Sequence, residues 1–367
     1  MFSDGSEKTK IAFQPFPTCP FHFDSKSEFK LGKPSKVGIM DAYEEEMEGA
    51  LHFATSIGKN PIKDGVLVGY GVSKSKDLSE IKSKVELYER LCYYLAPRGK
   101  IRYDKKIPLL EFQFTDGNPI FAPLNLIFGG GMNGARDRYS YSTAGLALHS
   151  SRQLAIESAI DEAMEKNYAL LAFAGLVGHH QKIALTDFEP AIENLFTKRG
   201  YETFFYFIEN HGRFYFTCYC FASDPQLPSL VCCSSVAKNF NEGIEKAACE
   251  LFGMVRHASE VYLKPSEQEP NAAYSNFLHY LEGGHALDLM ETFPGKLMGT
   301  SEVQLSQLSE LESFITDIFD ATQYGFCERG NALTDSQGLY AFHALHMAGA
   351  ERLEIIRHND EEVYPYA

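Results

Sequence analysis

Apolar residues recur along this chain in two rhythms, and the switch between them marks out the elements. Ile81, Val85, Tyr88, Cys92 and Leu95 return with a helical period, which predicts a helix from about Ser75 to Tyr94. The same reading predicts helices over roughly Ser151 to Leu176 and Asn241 to His257. An amphipathic acidic helix follows from Ser301 to Phe319, with Leu308, Leu311, Ile315 and Phe319 on one stripe, and Tyr274 to Leu281 is compatible with another. Strand-like stretches run over Lys36 to Met40, Leu51 to Ile57 and Gly65 to Tyr70, then over residues 107–128, where Pro108, Pro119 and Pro123 mark breaks or edges. Residues 203–222 predict a hairpin turning at Asn210-His211-Gly212. Leu230 to Val236 adds a third strand, and Leu339 to Met347 a late one. Strand runs broken by helices, without regular βαβ alternation, predict an α+β fold with mixed or antiparallel sheets packed against helices.

Composition narrows the class. The chain has 367 residues, 44% hydrophobic and 23% charged, as in an ordinary globular protein. A net charge of −15 argues against nucleic acid and anionic membranes as partners. A polyanion such as ATP stays open to an acidic protein when metal ions neutralise its phosphates. The N-terminus has no apolar signal region, and the longest apolar run, Tyr168 to Val177, is too short to span a bilayer. Eight cysteines without a CxxC pair predict free thiols in a reducing, cytoplasmic setting. Cys218, Cys220, Cys232 and Cys233 have the makings of a zinc site, but alternate residues of a strand explain Cys218 and Cys220 equally well.

The chemistry-bearing positions are acidic. Ser83-Lys-Val-Glu86-Leu-Tyr-Glu89-Arg90 and Glu162-Ala-Met-Glu165-Lys166 each place two carboxylates three residues apart, with a cation directly after the second. Residues at i and i+3 share a helix face. Two such segments facing each other make a four-carboxylate cage suited to hard cations such as Mg2+ rather than zinc. An isolated ExxER is read more simply as a solvated face with an internal Glu86–Arg90 pair. Lys246 and Glu250, at i and i+4, have the same simple reading. Ala155, Ser158 and Ala159 lie on the side of Glu162 and would let another helix or a ligand approach closely. Gly129 to Gly134 spells GxGxxG, but no apolar helix follows and no βαβ unit frames it, so it reads as a loop over a site. There is no GxxxxGK[ST] loop, so any nucleotide must be held by other means.

The order of these blocks resembles the YcaO family, over most of the chain from about residue 36. The family's glycine turn and SxxExxER motif are matched by Gly69, Gly71 and then Ser83, Glu86, Glu89 and Arg90. Its second block is matched by Thr143, Gly145, Ala147, Ala155, Glu162 and Glu165, with Lys166 in place of Arg and Ala144 in place of Asn. Its third, RAxxELxQ, is matched by Lys246, Ala247, Glu250 and Leu251, with Lys246 in place of Arg and Gly253 in place of Gln. Lys cannot copy the bidentate fork of Arg, so these departures bear on nucleotide contacts and leave the carboxylates intact.

The resemblance implies a site. Glu86, Glu89, Glu162, Glu165 and Glu250 would hold Mg2+; Ser83, Arg90, Thr143, Gly145, Lys166, Lys246 and Arg256 would contact ATP. The first 35 residues, rich in Pro, Phe and Lys, read as an irregular arm over 1–35, and the resemblance implies a YcaO-like domain over 36–367, with its ATP/Mg core at about 65–260 and a C-terminal subdomain at about 300–367. The implied reaction is ATP-dependent O-phosphorylation of a peptide-backbone amide. A Cys, Ser or Thr nucleophile of a ribosomally made peptide would give an azoline, sulfide a thioamide, and an amine an amidine. The tail Tyr364-Pro365-Tyr366-Ala367 keeps one proline of the segment with which azoline-forming members often end, and points to the Ala367 carboxylate as a catalytic group. The chain shows no module for gripping a leader peptide, which implies a peptide substrate presented by a separate partner protein; a homo-oligomer is compatible with the same reading. The competing reading is a non-catalytic scaffold, favoured by the changes at Lys166 and Gly253.

Overall fold

The computed structural model describes residues 9–10, 36–37, 39–40, 46–48, 50–59, 66–94, 98–104, 107–123, 144–173, 175–178, 180–222, 224, 226–263, 316–330, 334–335 and 337–347. The expected helix at Tyr274 to Leu281, most of that at Ser301 to Phe319, and the Gly129 to Gly134 loop lie outside them. In chain order the elements are β1 (Thr9–Lys10), β2 (Lys36–Val37), β3 (Ile39–Met40), β4 (Glu46–Glu48), β5 (Leu51–Lys59), β6 (Val66–Ser73), α1 (Lys76–Tyr94), β7 (Ile101–Asp104), β8 (Ile107–Gln113), β9 (Pro119–Pro123) and β10 (Leu146–His149). There follow α2 (Arg152–Phe173), β11 (Gln181–Ile183), α3 (Pro190–Lys198), β12 (Tyr201–Asn210), β13 (Arg213–Ala222), β14 (Leu230–Ala237), α4 (Phe240–Leu263), β15 (Tyr324–Glu328) and β16 (Tyr340–His346). This is the expected α+β arrangement.

All the strand pairs are antiparallel. One sheet runs β11-β12-β13-β14. Its hairpin turns through His211 and Gly212, both at positive φ (48° and 69°), as a tight two-residue turn requires. Alternation along β13 splits its side chains between two cores. Tyr215, Tyr219 and Phe221 face α2, while Phe216, Cys218 and Cys220 face α4. The cysteines are therefore accounted for as strand residues: Cys218 and Cys233 oppose each other in the α4-facing layer, and Cys232 faces α2. Cys232 thus lies on the opposite face of the sheet from Cys218, Cys220 and Cys233, so the four do not converge as zinc ligands.

A second sheet runs β10-β16-β15-β8-β7, with β9 also paired to β8. The late strands β15 and β16 thus sit in its middle, and β16 pairs with β10 from Leu146 to His149. α2 is packed between this sheet and the β11–β14 meander, which explains why its buried residues run round the helix instead of forming a stripe. The third sheet has β5 at its centre, with β6 along one edge and β3 and β4 at opposite ends of the other. α1 lies on it at backbone contact. A Cβ at Gly69 would stand 2.1 Å from the Ser83 carbonyl oxygen, and one at Gly71 would stand 1.9 Å from that of Ser79. Only glycine admits that approach. No described helix is long and apolar enough to cross a membrane.

Candidate functional site

Three strands at the margins of three different sheets each offer a polar group to a carboxylate on a neighbouring helix. The Tyr70 N–H of β6 donates to Glu86 Oε2 at 2.7 Å. The Leu148 N–H of β10 donates to Glu89 Oε1 at 3.1 Å. The Ser234 hydroxyl of β14 donates to Glu165 Oε1 at 2.9 Å. A marginal strand has N–H groups to spare, and an acidic side chain is the strongest acceptor to meet them.

Around these anchors the carboxylates gather unevenly. Arg90 pairs with Glu86 at 2.7 Å, so the simple i,i+4 reading of that helix holds for this pair but accounts for only one of the two oxygens. Glu89 is held well above the ordinary carboxylate range by burial, then by the charges of Glu162 and Glu86; the Leu148 N–H and Arg90 do not offset this. Burial also lifts Glu162 to about 8, against the pull of Lys166 and Lys246 and of a hydrogen bond from the Gly145 N–H, with Glu165 adding to the rise. Gly145 holds φ +84° beneath that bond.

Glu165 is the opposite case. It is 2% exposed, and burial alone would raise it, yet it is held low by Lys166 at 2.8 Å, Lys246 at 3.4 Å and the Ser234 hydroxyl. Both lysines are in turn raised: burial works against their charge, and the surrounding glutamates more than offset it. Lys246 also reaches Glu250 at 3.8 Å. Glu250 is raised by burial and by the Glu165 charge, with Lys246, Lys166 and Lys82 pulling the other way. The lysines make their ion pairs with Glu165 and Glu250, and the facing Glu89 and Glu162 are left favouring the protonated form near neutral pH.

The structure therefore brings Glu86, Glu89, Glu162, Glu165, Glu250, Arg90, Lys166, Lys246 and Gly145 into one neighbourhood. Ser83, a residue 1% exposed, lies one turn before Glu86 on α1, and its hydroxyl bonds Ser56 Oγ and the Glu80 carbonyl. Arg256 lies ten residues beyond Lys246, about 15 Å along the helix axis, with its guanidinium 4.7 Å over the Phe53 ring. Thr143 and Ala367 lie outside the described residues. Sequence reasoning missed Ser234 and Lys82. Ser234 had a signal: it is the polar member of Leu230, Cys232, Ser234 and Val236, whose apolar members face α2. The contributing N–H groups of Tyr70, Leu148 and Gly145 carry no side-chain signature.

The model of a known family, described as YcaO cyclodehydratase, ATP- and Mg2+-binding, matches residues 99–302. The chain belongs to the YcaO family. A YcaO structure from Methanopyrus kandleri, bound with AMPPCP and Mg2+, is similar over 84% of this chain and 85% of that one, at 12% identity and a TM-score of 0.55. The E. coli microcin synthetase McbBCD complex with pro-MccB17 bound contains a chain similar over 92% of this one and 90% of that one, at 11% identity and 0.59. A heterocyclase in complex with substrate and cofactor is similar over 84% of this chain but 49% of that one, at 12% identity and 0.57. These likenesses establish the shared fold. A search of curated protein sequences found no match.

The YcaO family is one that binds ATP and Mg2+, and the residues here fit the ion in chemistry. The donors are carboxylate oxygens, the hard ligands Mg2+ takes, and the raised Glu89 and Glu162 are carboxyls that a divalent cation would favour in the ionised form. As they stand the carboxylates are engaged by N–H groups, a hydroxyl and cations, and among the described residues no three form a ready-made ligand set.

Proposed function

We propose that this YcaO protein activates a backbone amide of a ribosomally made peptide by ATP-dependent O-phosphorylation, closing Cys, Ser or Thr residues into azolines. The observation that carries the reading is the gathering of five carboxyls in unequal surroundings, with lysine ion pairs on Glu165 and Glu250 and with Glu89 and Glu162 raised by burial and by neighbouring carboxylates. We assign Glu86, Glu89, Glu162, Glu165 and Glu250 to Mg2+ and Arg90, Lys166 and Lys246 to the phosphates of ATP. Bound Mg2+ would supply charge neutralisation for the phosphates.

In the reaction, the substrate side chain adds through its sulfur or oxygen to the preceding amide carbon. The resulting oxyanion takes the terminal phosphoryl group of ATP, releasing ADP. Cleavage of the C–O bond expels phosphate, and loss of the N–H proton completes the C=N bond of the ring. Nothing in this sequence needs a covalent nucleophile from the protein, whose task is positioning and charge neutralisation. Lys166 and Lys246 are suited to it because they are half-buried, stay charged, and among the described residues share Glu165 with no other side-chain hydrogen bond or ion pair but those to Glu250 and Ser234. Phosphate oxygens would compete for them on equal terms with those carboxylates.

Support for a peptide substrate and a partner comes from similar proteins, among them a microcin synthetase complex with its pro-peptide bound and a heterocyclase with its substrate. We extend that arrangement to this chain, with a separate protein presenting the peptide's leader. Calorimetry should find ATP binding that needs Mg2+ and is lost in Glu86→Gln and Glu165→Gln; unchanged affinity in both variants would sink the site assignment. With a precursor peptide and partner, phosphate release should accompany loss of one water per ring, read by mass spectrometry. Replacement of an amide oxygen by sulfur would assign thioamide formation, and its replacement by an amine nitrogen amidine formation. ATP binding with no turnover of any peptide would leave a scaffold.

A further inference from the structure

The turn that bonds Glu162 through the Gly145 N–H is held by a part of the chain beyond the family match, which ends at residue 302. His343 of β16 is fully buried, and its Nε2 lies 3.0 Å from the Ala144 carbonyl oxygen. A carbonyl only accepts, so Nε2 carries the proton and Nδ1 is the bare nitrogen. Nδ1 is buried and has no hydrogen-bond partner among the described residues. Burial and the neighbouring Arg329 charge push His343 down to about 3, so it remains the neutral donor. One residue on, the Ala344 N–H donates to the Gly145 carbonyl at 2.8 Å. The next N–H in that turn, that of Gly145 itself, is the one bonded to Glu162.

The turn thus has three restraints from β16: a side-chain bond to Ala144, a backbone bond to Gly145, and steric closure. A Cβ at Gly145 would stand 2.3 Å from the Ala344 carbonyl oxygen and 3.1 Å from the Ala163 Cβ. The same strand pair also holds the helix carrying Glu89. Arg329, directly after β15 and fully buried, donates through Nη2 to the Cys92 carbonyl at 2.8 Å, one helical turn beyond Glu89. Glu89 and Glu162 are therefore referenced to one rigid unit, the β15–β16 pair.

We propose that His343 is a positioning residue for the metal–nucleotide site: its Nε2–H, bonded to the Ala144 carbonyl, sets the Gly145 turn and so aims the Glu162 carboxylate. The inference rests on the reading above, that Glu162 holds Mg2+. Partners one shell out from a metal ligand set its orientation, and losing one typically costs about 10–100-fold in metal affinity.

The test compares His343→Ala with His343→Gln, whose side-chain amide can restore a donor near Nε2. In the metal-free protein, hydrogen exchange at the Gly145 amide should rise at least tenfold in the alanine variant and stay within about threefold of wild type in the glutamine variant. The Mg2+ concentration giving half-maximal ATP binding should rise about tenfold or more for alanine and recover for glutamine. Unchanged exchange at Gly145 in His343→Ala would overturn the proposal, as would equal Mg2+ midpoints in the two variants. Should the wild type bind no Mg2+–ATP, the functional reading fails by itself, and the Gly145 exchange still decides whether His343 sets the turn. Thermal melts separate loss of fold from loss of aim.

Discussion

At the scale of single residues, charge sharing decides what each glutamate does. Glu165 has two lysines and a serine hydroxyl, whereas Glu162 has a backbone N–H and faces another carboxylate. Ser234→Ala removes a hydrogen bond to a buried charge, which costs about 1.5–3 kcal/mol. The expected outcome is a lower melting temperature and a severalfold weaker Mg2+-dependent ATP affinity; a lower melting temperature at unchanged affinity would confine the hydroxyl to folding. His343 yields a pH prediction with a definite sign. Its folded value lies at about 3 against 6.5 ordinarily, so the unfolded chain takes up a proton that the folded one refuses. The stability tied to its neutrality is complete above about pH 6.5 and drains away as pH falls towards 3. Stability measured by denaturant between pH 7 and pH 4.5 should fall less steeply in His343→Gln than in wild type, and equal slopes would contradict the assignment.

At the scale of elements, the helix–strand contacts are set by glycines. α1 meets β6 where Gly69 and Gly71 remove side chains, and that contact brings Glu86 to the Tyr70 N–H. α4 meets the same strand at Gly253, where a Cβ would stand 2.8 Å from Val72 Cγ2. A glutamine there, as in the motif the third block resembles, would meet Val72 and require it to shift. Gly253→Gln should therefore destabilise the protein by about 1–3 kcal/mol through overpacking, and Val72→Ala should recover a good part of that. A double-mutant cycle read by urea unfolding checks this, and additivity of the two changes would show that they do not meet. Helices with a one-sided apolar stripe were legible in advance: α1 and α4 begin and end within a few residues of expectation in their described parts, except that α4 runs on to Leu263. α3 was passed over although Pro190 opens it and Ile192, Leu195 and Phe196 form its buried face. β15 was passed over because five residues, four of them buried, show no alternation.

At the scale of the whole molecule, the site exists only because three sheets end in the same place. Ligand binding to the folded state alone should raise the melting temperature, in proportion to the logarithm of ligand concentration over its dissociation constant. Mg2+ with ATP is expected to give that rise in wild type and not in Glu162→Gln or Glu89→Gln. Without ligand, both variants should melt at or above wild type at pH 8, because each removes a carboxyl whose ionisation is opposed in the folded state by burial and, for Glu89, by Glu162, and is free in the unfolded chain. Lower melting in both would mean that the pair stabilises the fold and is not held in reserve for a cation. The sequence by itself determined the elements whose apolar rhythm is local and the carboxylate pairs at helical spacing, since both depend on neighbours three or four residues apart. It also carried the family resemblance, through blocks whose internal spacing is written in the chain. Only tertiary structure decided which carboxylates are neutralised, that Ser83 and Arg256 are turned to other partners, and that strands after residue 320 brace the Gly145 turn. Those outcomes depend on electrostatic and hydrogen-bond contacts between residues tens to hundreds of positions apart, which no local pattern encodes. The two ExxE segments were plain from the first reading; that one glutamate of the second is saturated by lysines while the other faces the first segment's Glu89 was settled by packing.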